Sequence, residues 1–184
     1  PLTLRADMVA TQAGETVSFV QTTFDDSEWR QLNLPHDWFV ELGFSAGGDG
    51  NHGYKASAGN TIAWYRHTFT LPSAATGKVF RLDLDGIYRN ALIWVNGHCV
   101  GRDVSGYAPI SFDVTPYVNP GGTNVLVVRV DASRNEGWFY EGAGIYRHVW
   151  LVETDPVHVA HWGTYVATTN LVGSNATIVV QTDV

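Results

Sequence analysis

Cysteine, methionine and basic residues are all scarce in this chain of 184 residues. A single cysteine, Cys99, excludes an intrachain disulfide framework. It stands in "NGHCVG", on an expected strand where a thiol serves as a small apolar residue, and it forms no Cys-His motif that suggests a nucleophile. Lys and Arg number 11 against 18 Asp and Glu, a formal net charge of −7. So few cations, scattered along the chain, exclude nucleic acid and anionic membrane surfaces as partners, because phosphate recognition needs clustered positive charge. No apolar run approaches the ~18 residues that cross a bilayer. Pro1-Leu2-Thr3-Leu4 lacks the charged start of a signal peptide. The compartment is therefore open: periplasm and cytoplasm of a bacterium both suit a soluble chain of this composition.

Metal and cofactor signatures are also lacking. His158 and His161, in "HVAH", would point to opposite faces of a strand and could not share a metal. "GGDGNHG" has glycines but not the Lys-Ser/Thr ending of a phosphate loop, and no G-x-S-x-G elbow occurs. Neither a metal nor a cofactor is expected.

What the chain does have is aromatics and strand periodicity. Seven Trp, eight Tyr and eight Phe make 12% of the residues, enough to fill a β core or to stack on the C–H faces of sugars. "AWYRHTFTL" (63–71) sets Trp64, Arg66, Thr68 and Thr70 against Tyr65, His67, Phe69 and Leu71. "KVFRLDLD" (78–85) places Val79, Arg81, Asp83 and Asp85 opposite Phe80, Leu82 and Leu84. The two aspartates fall about 7 Å apart on one face, which reads as a solvated sheet surface. "ALIWV" and "HCVGR" flank Asn96-Gly97, a hairpin signal because both turn residues accept positive φ. "ISFDV", "NVLVVRVD" and "YRHVWLVE" continue the series, with no helical stripe of a dozen residues. Short strands separated by turn chemistry predict an all-β antiparallel sandwich or jelly roll.

Two segments break the rhythm. Residues 43–61 hold six glycines and almost no apolar side chains, which predicts a long functional loop. After Asp155-Pro156, "VHVAHWGTYVAT" and "NATIVVQTDV" read as two further strands, too few to be stable alone. The tetrapeptide Gly-Ile-Tyr-Arg occurs twice, at 86–89 and 144–147, and each copy predicts a glycine bend entering a core strand.

Five segments in order, "LPHDW" (34–38), "WYRHTF" (64–69), "LDLDGIYRNALIWVNGHCVG" (82–101), "YAPISFDVTPYV" (107–118) and "GAGIYRHVWL" (142–151), resemble the N-terminal sugar-binding domain of glycoside hydrolase family 2. The "PHDW…HGYK…WYR" style is most similar to its β-galactosidase-like members. The resemblance implies a jelly-roll β-sandwich over 1–155, followed at 156–184 by the truncated start of an immunoglobulin-like domain. It also implies a retaining glycosidase whose two carboxylates, about 5 Å apart, come from a later barrel. No βαβ alternation is visible, so that barrel is not within these residues. The chain alone is accordingly expected to be non-catalytic.

In such enzymes, loops of this domain help shape the sugar pocket. The implied partner is a β-galactoside-like carbohydrate, held together with the absent barrel. In the 43–61 loop the candidate contacts are Asn51, His52, Tyr54 and Lys55. In "NEGWFYE" (135–141) they are Trp138, Tyr140 and Glu141, with Trp138 standing where some relatives carry a substrate-binding acid. Asp37, behind Pro35 and His36, is a further candidate, with loop orientation by hydrogen bonding as its competing role. Two other readings stay open at this stage: an autonomous carbohydrate-binding module or lectin, and a sandwich that buttresses a homo-oligomer of the parent enzyme.

Overall fold

The computed structural model of the chain describes residues 2–5, 17–42, 62–133 and 141–184, the first stretch by its backbone alone. Two antiparallel sheets face each other. The larger contains β1 (Leu2–Arg5), β2 (Arg30–Leu32), β3 (Ile62–Thr70), β5 (Ala91–Val95), β6 (His98–Asp103) and β8 (Thr123–Asp131), in the order β2-β1-β3-β8-β5-β6. The smaller has β7 (Ile110–Asp113), β4 (Val79–Leu84) and β9 (Val149–Thr154), in the order β7-β4-β9. This is the expected β-sandwich. In β4 the alternation is clean: Phe80, Leu82 and Leu84 are buried, while Val79, Arg81 and Asp83 face outward.

The larger sheet is covered on both faces, which explains why β3 reads as a mixed run. Its inner residues, among them Tyr65, Ile93, Val95, Val128 and Val130, pack with β4 to form the main core. Its outer residues Trp64, Trp94, Val125 and Val127 are covered by Phe19, Val20 and Trp29 from the segment before β2. Trp64 and Trp94 stack with ring centroids 5.5 Å apart. Arg66, on the same outer face, is 2% exposed, pairs with Asp26 at 3.1 Å and donates to the carbonyls of Thr22 and Phe24. Its guanidinium therefore holds the covering segment in place through groups that would otherwise be buried without partners.

The Asn96-Gly97 turn forms as expected, with φ of 50° and 86°. The Asn96 side chain does more than permit the turn. It donates to the Tyr117 carbonyl and accepts from Val125 N–H, at 2.7 and 2.8 Å.

The two Gly-Ile-Tyr-Arg copies meet. Tyr88 and Gly144 exchange two backbone hydrogen bonds of 2.8 Å. A Cβ on Gly86 would lie 2.7 Å from the Tyr146 ring, so the missing side chain of one copy makes room for the tyrosine of the other. Tyr146 then donates to the Gly106 carbonyl, and Ile87 and Ile145 are both buried.

Past Asp155 the chain forms a ribbon of β10 (Thr164–Val172) and β11 (Asn175–Thr182). Residues 156–163 are not strand, contrary to the expectation for "VHVAHWGTYVAT": Trp162 has φ of 55°, and Gly163 N–H closes a turn onto the Ala160 carbonyl. His158 instead meets the Asp155 carbonyl through Nδ1. Along the ribbon Tyr165, Val166, Leu171, Val172, Ile178 and Val180 are exposed, so both faces show apolar surface.

Candidate functional site

Both segments singled out by the sequence are rooted at one end of the larger sheet. Ile62, which follows the first, sits opposite Asp131 in the β3–β8 register, and Ser133, which precedes the second, is held by its N–H to Asp131 at 3.1 Å. The other two roots are the short helix α1 (Trp38–Leu42), before residue 43, and Glu141 to Ala143, after residue 140. Asn51, His52, Tyr54, Lys55, Trp138 and Tyr140 lie outside the described residues. Asp37 and Glu141 lie within them, and the fold brings their neighbourhoods together.

Asp37 makes that junction. Its Oδ1 accepts from Phe39 N–H and from Ala143 N–H, each at 2.9 Å. The first bond satisfies a free amide at the start of α1, the standard use of an aspartate before a helix. The second reaches across the chain to the opposite root. Backbone bonds flank it: His36 N–H to the Ile145 carbonyl at 2.8 Å and Trp38 N–H to the Ala143 carbonyl at 3.0 Å. Trp38 and Phe39 are buried, which anchors a helix too short to persist by itself. Gly144 has φ of 128°, and a Cβ there would come within 2.5 Å of the His36 carbonyl oxygen, so no larger residue fits the crossing. Glu141 begins the second root at 3% exposure and faces the fold rather than solvent.

Behind Asp37 runs a polar chain. His36 Nδ1 lies 2.9 Å from the Tyr65 hydroxyl, and its Nε2 lies 3.2 Å from Glu41 Oε1. An ionised carboxylate can only accept, so Nε2 carries a proton toward Glu41. In the neutral imidazole Nδ1 then accepts from the Tyr65 hydroxyl. Arg30 closes the chain with two hydrogen bonds to the Glu41 carboxylate. Those bonds, with smaller help from His36, lower the Glu41 pKa to about 2. Burial pushes the Tyr65 phenol upward, so it stays a neutral donor. Asp37 is thus matched to two amides and Glu41 to a guanidinium, which makes the junction a rigid support. The sequence showed His36 and Asp37 as neighbours. It carried no spacing signal for Tyr65, 29 residues further on in β3, or for Glu41, five residues on along a one-turn helix.

Among the described residues no group of three or more His, Cys, Asp or Glu is arranged to hold a metal, and no helix is long and apolar enough to cross a membrane. Residues 53–155 match the family described as glycosyl hydrolases family 2, sugar binding domain. The chain belongs to this family.

Several glycosidases of known name share most of the length of the chain. It is 44% identical over 160 residues to the β-galactosidase BoGH2A of Bacteroides ovatus, covering 86% of this chain and 19% of that protein. Identity to a β-glucuronidase of Formosa agariphila is 28% over 182 residues, covering 88% of this chain and 19% of that protein. The crystal structure of a glycosyl hydrolase family 2 member from Bacteroides cellulosilyticus superposes with a TM-score of 0.79 at 36% identity, over 98% of this chain and 23% of that one. The chain therefore spans about a fifth of the length of these relatives.

Proposed function

We propose that this chain is the non-catalytic sugar-binding part of a retaining β-galactosidase, and that segments 43–61 and 135–141 form walls of its substrate pocket. The observation that carries the reading is the convergence of their roots, locked by the Asp37 bonds to Phe39 and Ala143. Asn51, His52, Tyr54, Lys55, Trp138 and Tyr140 supply the donors, acceptors and aromatic faces that sugar recognition uses, with Asp37 and Glu141 at their base. The two catalytic carboxylates belong to a barrel outside these 184 residues. Residues 156–184 open an immunoglobulin-like domain, a reading supported by a β10–β11 ribbon whose apolar residues are exposed among the described residues. The galactoside preference is supported by the 44% identity to a β-galactosidase and by the "PHDW" and "WYR" segments.

The reading has a direct test. The chain alone, incubated with a chromogenic β-galactoside, gives no turnover that scales with its concentration. The full-length enzyme cleaves the β-galactoside with higher kcat/KM than the matching β-glucuronide; the reverse order would reassign the substrate. In that enzyme Trp138→Ala raises KM or lowers kcat without loss of folding, because a stacking wall is removed.

A further inference from the structure

A cavity of about 410 Å³ opens on the outer face of the smaller sheet, and it uses none of the residues of the Asp37 junction. Its floor is Asp83 on β4, Asp85 just beyond that strand and Ser111 on β7, and its walls are Arg147, Trp150 and Trp162. The volume lies within the range of roughly 300–1,000 Å³ that small-ligand pockets occupy.

Both carboxylates and the Trp150 indole are held in place before any ligand arrives. Asp83 is clamped by Arg81 Nε and Nη2, at 2.8 and 3.0 Å, and accepts from the Ser111 hydroxyl at 2.6 Å. Asp85 Oδ2 accepts from Trp150 Nε1 at 3.1 Å, which fixes the indole plane while leaving the residue 52% exposed. His148 backs Trp150 with ring centroids 5.3 Å apart.

The opposite wall is built at a conformational cost. Trp162 is the third residue of the turn closed by Gly163 N–H on the Ala160 carbonyl, and its φ of 55° is one that turns normally give to glycine or asparagine. A bulky aromatic there is strained. It is nevertheless 79% exposed, so the burial of the indole does not offset that strain. His161 stacks on it at 4.6 Å, and Asp183 ties the turn down by accepting from Ala160 N–H and donating to the Gly163 carbonyl. The result is a rigid turn that presents a tryptophan face to a pocket containing a second exposed tryptophan.

We propose that this cavity is a binding site for a neutral hexopyranoside, which stacks its C–H face on Trp150 or Trp162 and offers its hydroxyl pairs to Asp83, Asp85 and Arg147. Two indole faces supply apolar contact to a ring that carries no charge, the fixed carboxylates supply acceptors, and the exposed Arg147 guanidinium supplies donors for vicinal hydroxyls. A uronide is disfavoured, because its carboxylate would meet Asp83 and Asp85 at close range. The inference stands on these residues, whichever glycoside the parent enzyme cleaves.

The test titrates the chain with methyl β-D-galactopyranoside, methyl β-D-glucopyranoside and methyl β-D-glucuronide, read by calorimetry and tryptophan fluorescence. Saturable binding of at least one neutral glycoside is expected, with affinity at least tenfold weaker for the glucuronide. Trp150→Ala and Asp83→Asn each weaken the neutral glycoside at least tenfold. Trp162→Gly does the same while relieving the backbone, so its thermal midpoint does not fall and lost binding cannot be ascribed to unfolding. Absence of saturable binding, or equal binding by wild type and all three variants, overturns the proposal. So does a result in which the substitutions change only the stability of the protein, since the cavity would then be a contact surface for another part of the chain.

Discussion

When Asp37 is truncated to alanine, two backbone N–H groups at Phe39 and Ala143 lose their acceptor at once. Leaving buried or half-buried donors unmatched costs about 1–3 kcal/mol, and loss of the helix cap falls in the same range. Asp37→Ala is therefore expected to lower stability by about 2 kcal/mol in urea unfolding. Asp37→Asn keeps an amide oxygen in place and loses less, which separates the acceptor from the charge. Glu41 gives a pH signature of its own. Its folded pKa of about 2 lies below the ordinary 4.5, so its contribution is fully present above pH 4.5 and disappears as pH falls toward 2. Glu41→Gln should flatten the stability profile across that window and leave it parallel to wild type above it. A profile that is unchanged by the substitution would show that the Arg30 pair contributes nothing measurable, as many exposed pairs do.

At the scale of elements, the paired Gly-Ile-Tyr-Arg copies make a prediction about coupling. Gly86→Ala drives a methyl into the Tyr146 ring, and Gly144→Ala drives one into the His36 carbonyl at a φ that only glycine adopts readily. Both should destabilise, the second more, because a ring can shift while a backbone oxygen at the crossing cannot. Tyr146→Leu combined with Gly86→Ala should recover part of the loss, giving an interaction energy of about 0.5–3 kcal/mol in a double-mutant cycle. This contact also marks where sequence reasoning stops. The strands β4, β5 and β8 and the Asn96-Gly97 turn were legible because each is set by local alternation or local turn chemistry. β1 and β2 are too short to show a period, and α1 is one turn held by Trp38 and Phe39 rather than by a stripe. The repeat itself was visible in the sequence, but two glycine bends in the chain do not say that they lie against each other. The same holds for the cavity of Asp83, Trp150 and Trp162, which gathers residues from β4, β9 and a turn far along the chain. The sequence showed Asp83 and Asp85 on one face and read that face as solvated.

For the whole molecule, stability resides in the sandwich. The two clusters that hold Tyr65 and Leu84 on one side of the larger sheet, and Trp64 and Trp94 on the other, contain no residue beyond Ile145 among their buried members. Trp64→Ala is expected to cost about 3–5 kcal/mol, as for a large aromatic removed from a packed interior. Deleting residues 156–184 should cost less than about 1 kcal/mol, a shift of about 2–4 °C in Tm by calorimetry. A larger fall would mean that the ribbon braces the sandwich more than its exposure suggests. The ribbon has another consequence. From Thr164 to Thr182 it carries no charged residue, and among the described residues β11 is a two-faced apolar edge with no strand paired along one side. Such an edge is a template for a strand from a second molecule, and neither lysine nor proline guards it. Solutions of the chain should therefore cloud with time and concentration, and Val179→Lys should keep them clear.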